Sequence, residues 1–221
     1  YNRNIRARKV SKLPKIIWKG NMDWNTVVDG KQEWDRDIQL SGVPQNAVVL
    51  KRPENIFQGL APYFFGSILL CFLTVFLKRF LTGESFLDSR FLPVSFLFGF
   101  CIGLPIHELF HALSYPAKAK VYIGVSIKQL RAFYISANPI KRNRFIFISI
   151  APALLGIFFQ LVFLFTPVSL KWLITISMIA MFFGLISPAP DYRDVFLVVA
   201  QIPKGAYVQP SEKGYIWYKK D

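Results

Sequence analysis

Histidine and cysteine are scarce in this chain, with two of each among 221 residues. The cysteines, Cys71 and Cys101, both fall in apolar stretches, which excludes a disulfide framework and indicates buried thiols. Because there is no third histidine, a catalytic metal site with three protein ligands needs a carboxylate or a thiolate. Acidic residues are also few, with 13 Asp and Glu against 27 Lys and Arg, a net charge of +14.

The basic charge lies between long apolar runs, and this combination excludes a nucleic-acid-binding protein. Hydrophobic residues make up 53% of the chain, including 22 phenylalanines, and the mean hydropathy is +0.35. A soluble core does not need so much phenylalanine, whereas apolar segments separated by basic loops are typical of integral membrane proteins. We therefore expect a lipid bilayer as a partner and no nucleic acid.

Four uncharged stretches predict four membrane-spanning helices, at residues 56–77, 91–106, 145–170 and 172–190. A span needs about 20 apolar residues, and the second stretch reaches that length only by continuing to residue 115. The predicted fold class is a mainly α polytopic membrane protein. Residues 1–55 are expected to form a polar, basic interfacial segment, residues 56–203 the membrane domain and residues 204–221 a cytoplasmic tail.

The distribution of Lys and Arg predicts the orientation. The segments before the first span, between the second and third, and after the fourth carry 23 of these residues, and the two other loops carry 4. Since Lys and Arg concentrate on the cytoplasmic side, both termini are expected in the cytoplasm and the chain in the cell membrane.

The segments outside the spans show signals for strands and for the membrane interface. Trp18, Trp24 and Trp34 lie among charges and are expected at headgroup level. Two β-rich runs, 121–127 and 132–136, predict a hairpin in the second cytoplasmic loop. The ending GYIWYKKD predicts one more short strand or an interfacial segment.

Both histidines fall in the sequence HELFHAL, which has the spacing of an HExxH metal motif. On a helix, His107 and His111 share one face, so both rings can bind one zinc ion. Glu108 flanks that ion and is placed to take a proton from the water that the metal activates. An ionisable cluster at membrane depth is costly and indicates a functional site.

The residues around the motif predict a disturbed helix. Pro105 removes a helix hydrogen bond just before the motif, and Gly99 and Gly103 thin the helix there, so a kink or an opening for water is expected. Pro116 is expected to end the helix.

The third ligand has two carboxylate candidates, Asp191 and Asp194, in the sequence SPAPDYRDVF. Both lie at the cytoplasmic end of the fourth span, on the same membrane face as the motif. Pro188 and Pro190 are expected to break the helix there, so periodicity does not choose between them. Cys101 lies off the face of His107 and is expected to be a packing residue.

The order of motifs resembles a family. HELFHAL, then SANP with KRNRF, an apolar run from SIAP, an aspartate followed by VFLVV and the ending KGYIWY are similar to the bacterial membrane zincin peptidases. The resemblance covers roughly residues 95–218. A more distant similarity links the HExxH motif and the later proline-flanked aspartate to the site-2 intramembrane metalloproteases.

The resemblance implies a role for each matching residue. His107 and His111 become zinc ligands and Glu108 the catalytic base. Asp194 becomes the third ligand because the VFLVV run follows it, with Asp191 as the alternative. The chain departs from the family in having Arg193 where a glycine is expected, and from the site-2 pattern in having SPAP and Asp194-Val195.

These observations predict a zinc-dependent peptidase that cuts a peptide or membrane-protein substrate at or near the cytoplasmic membrane face. The hairpin is expected to pair with an extended substrate, and Asn138, Tyr134 and Tyr192 are available as oxyanion donors. The alternative is a non-catalytic membrane protein with a structural or sensory zinc site, for which the sequence offers no obvious fourth ligand. The sequence leaves the oligomeric state open.

Overall fold

The protein is mainly helical, as predicted. The structure, a computed structural model, describes residues 13–21, 44–128, 131–211 and 214–220. A 3₁₀ turn, Ser89–Phe91, precedes the second helix, and a π-helix, Ile102–Ile106, joins the second helix to the third. The α-helices of the described part are α1 Ile56–Thr82, α2 Leu92–Cys101, α3 His107–Leu113, α4 Arg142–Ile150, α5 Ala153–Phe165, α6 Lys171–Ile186 and α7 Ala189–Gln201.

Three helical stretches of the described part are long and apolar enough to cross a membrane: Phe57–Thr82, Ser89–Leu113 and Lys171–Gln201. The predicted third span is instead a pair of helices, α4 and α5, which bend by 40° at their junction. Pro152 lies in this junction and has no N–H to donate to the preceding turn. The described residues therefore contain three candidate spans, or four if the bent pair crosses as one.

The strands form two small sheets at one end of the helices. The first contains β1 Lys15–Asn21, β3 Lys120–Ser126 and β4 Arg131–Ile135, in the order β1-β3-β4. Strand β1 runs parallel to β3, and β4 runs antiparallel to it. The second sheet is antiparallel and has the order β2-β7-β6-β5, with β2 Val48–Val49, β5 Ile140–Lys141, β6 Tyr207–Ser211 and β7 Gly214–Tyr218.

Several strands lie where the sequence predicts them. The two β-rich runs form β3 and β4, with Ile123 opposite Tyr134, and the ending GYIWY forms β7. Trp18 lies in β1 and its side chain is exposed. Trp24 and Trp34 lie outside the described residues. Most of the predicted interfacial segment also lies outside the described residues, since only residues 13–21 and 44–55 of it are described.

The helix is interrupted where Pro188 and Pro190 predict a break, but the chain returns to a helix directly afterwards. Helix α6 ends at Ile186, and α7 begins three residues later at Ala189. Proline is accepted in the first turn of a helix, where the N–H groups have no intrahelical partner. Pro188 and Pro190 accordingly lie at the start of α7, after an interruption of two residues. Asp191 and Asp194 therefore lie on a helix, one turn apart, and not in a surface turn.

The buried apolar side chains form two main clusters. The bundle core lies among α1, α5 and α6 and includes Cys71, Phe163 and Met181. The sheet-side core joins the ends of the helices to the second sheet and includes Ala112, Ile148, Val198 and Val208. Many apolar side chains of α1, α2 and α5 point outwards and are exposed, as the surface of a membrane-spanning helix requires.

Close contacts between helices explain four of the glycines in the apolar stretches. The backbones of α5 and α6 touch at Gly156 and Gly184, where a Cβ atom on Gly156 would lie 2.5 Å from a backbone carbon. Gly99 and Gly103 instead leave room for the Phe183 ring, 2.6 and 3.0 Å from where a Cβ would lie. These two glycines thus allow helix packing, and the disturbance expected here takes the form of the π-helix around Pro105.

Lys78 is a buried cation inside the first span. The sequence places it in a loop after residue 77, but α1 continues to Thr82. Its side chain is only 2% exposed, and its ammonium donates to the carbonyl oxygens of Leu164 (3.3 Å) and Thr166 (2.7 Å). These carbonyls end α5, where the helix dipole is negative and the last carbonyls have no intrahelical donor. Lys78 therefore caps α5 from α1.

We predict that Lys78→Met lowers the free energy of unfolding by about 1–3 kcal/mol, because two carbonyl acceptors lose a charged donor. The measurement is a denaturant titration in detergent, followed by tryptophan fluorescence. Arg79→Met is the matched control, since Arg79 is the next residue and its side chain is exposed. Equal unfolding midpoints for the two variants would contradict a stabilising cap.

Candidate metal centre

The two histidines of the motif face each other across one helical turn. Helix α3 begins at His107, directly after the π-helix, and His111 lies one turn later on the same face. Their Nε2 atoms are 3.0 Å apart, and both residues are buried. The HExxH spacing thus directs one nitrogen of each ring to a common point.

The other ring nitrogens are held by neighbouring helices. His111 Nδ1 lies 2.8 Å from the carbonyl oxygen of Ile148 in α4, and His107 Nδ1 lies 3.2 Å from Ser187 Oγ, between α6 and α7. A carbonyl only accepts, so His111 donates through Nδ1, and Nε2 of its neutral ring carries the lone pair. Such an outer hydrogen bond orients a metal-binding histidine and fixes its tautomer.

Asp191 completes a cluster of three ligand atoms. Its Oδ2 lies 3.3 Å from His107 Nε2, and its Oδ1 lies 3.4 Å from His111 Nε2. The carboxylate is in the first turn of α7, where the helix dipole favours negative charge. The three residues offer ligand atoms that all lie within 4.8 Å of one another, and among the described residues they are the group with the geometry of a metal site.

The dimensions of this cluster fit zinc. Two ligand atoms at 2.0–2.1 Å from a tetrahedral zinc ion lie roughly 3.3–3.4 Å apart. The three observed separations are 3.0, 3.3 and 3.4 Å. Two imidazole nitrogens and one carboxylate are also a donor set that zinc accepts, and they leave the fourth position free, as in catalytic zinc sites.

Glu108 lies beside the cluster and outside it. It is partly buried, and it is not one of the three residues whose ligand atoms converge. Its carboxylate lies within electrostatic range of all three of those residues, and of Arg131 at the start of β4. A carboxylate near the ligands that does not join them has the position of a general base.

Asp194, the aspartate that the resemblance favours as third ligand, does not belong to this cluster. Its two oxygens each lie 2.7 Å from a guanidinium nitrogen, Oδ2 from Arg52 and Oδ1 from Arg193. Carboxylate oxygens engaged by two guanidinium groups are a poor source of a metal ligand. The geometry therefore favours the alternative, Asp191. Cys101 is likewise absent from the cluster.

Of the three candidate oxyanion donors, Tyr134 contacts the metal centre. Its ring stacks on that of His111, with centroids 4.3 Å apart. Tyr192 donates its hydroxyl to the carbonyl of Leu185 (3.2 Å). Asn138 accepts through Oδ1 from the Lys120 backbone N–H (3.2 Å), as a turn residue does.

Tyr134 belongs to an aromatic layer behind His111 that the sequence does not reveal. Tyr115 packs edge-on against Tyr134, and Tyr215 hydrogen-bonds to it. Burial raises the pKa of Tyr215 to about 12, and raises the pKa of Tyr134 well above its ordinary value. Both phenols therefore stay protonated at neutral pH. Arg52, which binds Asp194, lies over the Tyr215 ring at 5.3 Å, so the Asp194 ion pair supports this layer.

The sequence also misses the groups that orient the histidines. Ile148 acts through its backbone carbonyl, which every residue has, so no side-chain pattern marks it. Ser187 precedes a proline and is indistinguishable from a turn residue. Tyr215 is 81 positions from Tyr134 in the sequence, and only the tertiary fold brings the two rings together.

Comparison with protein families gives a match over residues 100–207, to the family model described as "Putative zincin peptidase". The matched range contains His107, Glu108, His111 and Asp191, together with β3 and β4. No curated protein and no solved structure matches the chain.

We predict that the purified chain binds about one zinc ion, and that His111→Ala and Asp191→Ala abolish this binding while Asp194→Ala retains it. The reason is that the first two variants each remove one of three converging ligand atoms, whereas Asp194 is paired with arginines. The measurement is the zinc-to-protein ratio by elemental mass spectrometry. Zinc lost with Asp194→Ala but kept with Asp191→Ala would reverse the assignment.

Proposed function

Residues 100–207 belong to the zincin peptidase family, and from this premise we propose that the chain is a membrane-embedded zinc peptidase that acts near the cytoplasmic membrane face. The observation that carries the proposal is the convergence of His107, His111 and Asp191 on one point, with Glu108 at its edge. Three ligands with an open fourth position suit catalysis, whereas a structural zinc site is usually closed by four.

Each of these residues has a distinct role in the proposed reaction. His107, His111 and Asp191 hold the zinc ion, which supplies Lewis-acid chemistry by polarising a carbonyl and lowering the pKa of water. Glu108 takes a proton from the attacking water and returns it to the leaving amine. The Tyr134 ring stacks on the His111 imidazole and restrains its orientation. The Ile148 carbonyl restrains the same imidazole by accepting a hydrogen bond from its Nδ1.

The membrane location rests on the helices and on the charges around them. Three helices are long and apolar enough to span a bilayer, and their outward side chains are largely apolar. The metal centre lies where two of these helical stretches meet near the first sheet: α3 closes the stretch that ends at Leu113, and Asp191 lies in the first turn of α7. The segments at this end carry most of the Lys and Arg, which supports a cytoplasmic position.

Strand β4 provides a surface for an extended peptide substrate. It pairs with β3 on one side, and in the described part of the chain no strand pairs with its other side. Helix α3 packs against β4, and Tyr134 in β4 stacks on His111. A peptide or an unwound segment of a membrane protein that added to this edge would run past the metal centre in an extended conformation, with its peptide bonds accessible to attack.

We predict that Glu108→Gln keeps the zinc ion but lowers the rate of peptide cleavage by a factor of about 10² or more, since it removes the general base and none of the ligands. The measurement compares new protein termini in membranes from cells that produce either form, by mass spectrometry of N-terminal peptides. Glu84→Gln, an exposed glutamate between α1 and α2, is the matched control.

Two results would count against this assignment. Cleavage that survives in Glu108→Gln would exclude Glu108 as the base. A zinc-loaded chain that produces no new termini in either form would instead favour the non-catalytic alternative, in which the zinc is structural or sensory.

The orientation gives a separate prediction. In a chain with Cys71→Ser and Cys101→Ser, a cysteine at Lys128, between β3 and β4, should react with a membrane-impermeant maleimide only after the cells are opened. A cysteine at Glu84 should react in intact cells, because it lies in one of the two weakly basic loops. Labelling of Lys128→Cys in intact cells would place the metal centre on the outer face instead.

A further inference from the structure

A second candidate binding site lies away from the metal centre, at the start of α4. Here a cavity of about 480 Å³ opens between the end of the motif helix, the strand β5 and the strand β6. Within the described part of the chain, its lining combines two cations and a phenol with apolar side chains and contains no acidic residue. The lining residues are Pro116, Pro139, Ile140, Lys141, Arg144 and Tyr207.

The charge of this cavity suits an oxyanion. Lys141 and Arg144 each contribute a positive charge. The ammonium of Lys220 is a third positive charge nearby, since it lies 4.6 Å from the centre of the Tyr207 ring. The planar guanidinium of Arg144 matches phosphate oxygens in a bidentate arrangement.

The side chain of Arg144 is packed beside the cavity, and one of its donors has no partner in the described part of the chain. Nε of Arg144 is inaccessible to solvent and makes no hydrogen bond, and the same holds for Nε of Arg142, two residues earlier. A buried donor without an acceptor is unfavourable and uncommon in folded proteins. The Arg144 guanidinium is also held in place, 5.1 Å from the centre of the Phe147 ring. Arg144, which lines the cavity, therefore presents a guanidinium group that is already oriented to an acceptor there.

The position of the cavity favours a lipid headgroup as the source of the oxyanion. Pro116 follows the end of the motif helix by three residues, and Lys141 and Arg144 flank the start of α4. The cavity thus lies at the end of the motif helix and the start of α4, which in the membrane arrangement proposed above is the depth of the lipid headgroups. Phe147 and Ile150 follow Arg144 along α4 at helical spacing and are exposed, so an apolar path leads from the cavity towards the bilayer.

We propose that this cavity binds the phosphate of an anionic phospholipid headgroup, with Lys141 and Arg144 as its ligands and Phe147 and Ile150 against the acyl chains. Basic pockets at the cytoplasmic ends of membrane helices recognise such headgroups. The proposal does not depend on the peptidase reaction, since none of these residues belongs to the metal centre.

The test is native mass spectrometry of the chain released from nanodiscs that contain equal parts of phosphatidylcholine and phosphatidylglycerol. We expect the unmutated chain to retain phosphatidylglycerol selectively. Arg144→Gln should weaken this retention about tenfold or more, because it removes a charged hydrogen-bond donor. Lys141→Gln should weaken it in the same direction, and it provides the test if Arg144→Gln does not fold.

Lys171→Gln is the matched control, because Lys171 is an exposed basic residue at the start of α6, in the loop predicted on the other face. An equal loss with Lys171→Gln would mean non-specific attraction and would overturn the site, as would full retention in both Arg144→Gln and Lys141→Gln. Inorganic phosphate is added in a second arm. If it displaces phosphatidylglycerol at equal concentration, the ligand is a free phosphate and the lipid assignment is wrong.

Discussion

This structure is organised around three electron-rich groups that face one another at a buried site. The Nε2 atoms of His107 and His111 and the carboxylate of Asp191 lie within 4.8 Å of one another. With Nδ1 of His111 already donating to a carbonyl, the facing lone pairs and the negative charge are unfavourable in a buried site unless a cation or a proton lies between them. The fold therefore has to hold these groups in place against their mutual repulsion.

Each of the surrounding elements contributes one part of that restraint. The π-helix sets the phase at which α3 begins, so both histidines face α7. Helix α4 supplies the carbonyl of Ile148, and the junction of α6 and α7 supplies Ser187 and, one turn on, Asp191. Tyr134 closes the remaining side of His111. Because these contacts come from separate segments, the centre forms only when the helices and the first sheet are packed together, which is how a precise metal geometry is maintained.

How much of this arrangement is readable from the sequence depends on whether the information is local. The HExxH spacing, the apolar spans and the β-rich runs are local patterns, and they predict the histidine pair, the three helical stretches long enough to cross a membrane and the strands β3 and β4. The choice between Asp191 and Asp194 is not local: both lie on one helix, and the pairing of Asp194 with Arg52, 142 residues away, distinguishes them. Lys78 is a similar case. Its charge predicts a loop, but in the fold two carbonyl oxygens at the end of α5 accept hydrogen bonds from it.

The two hydrophobic cores bear on how a peptidase can work at a membrane. The stretch that carries the motif begins in the span, where Gly99 and Gly103 pack on Phe183, and ends in the sheet-side core, where Ala112 is buried. The metal centre therefore lies between a part of the molecule suited to lipid and a part suited to water. Hydrolysis of a membrane substrate needs both environments. The membrane segment of the substrate is stable in lipid, whereas the attacking water is stable only outside it. Under the proposed function, a substrate helix has to unwind only at this boundary, where the edge of β4 replaces the hydrogen bonds that its backbone gives up.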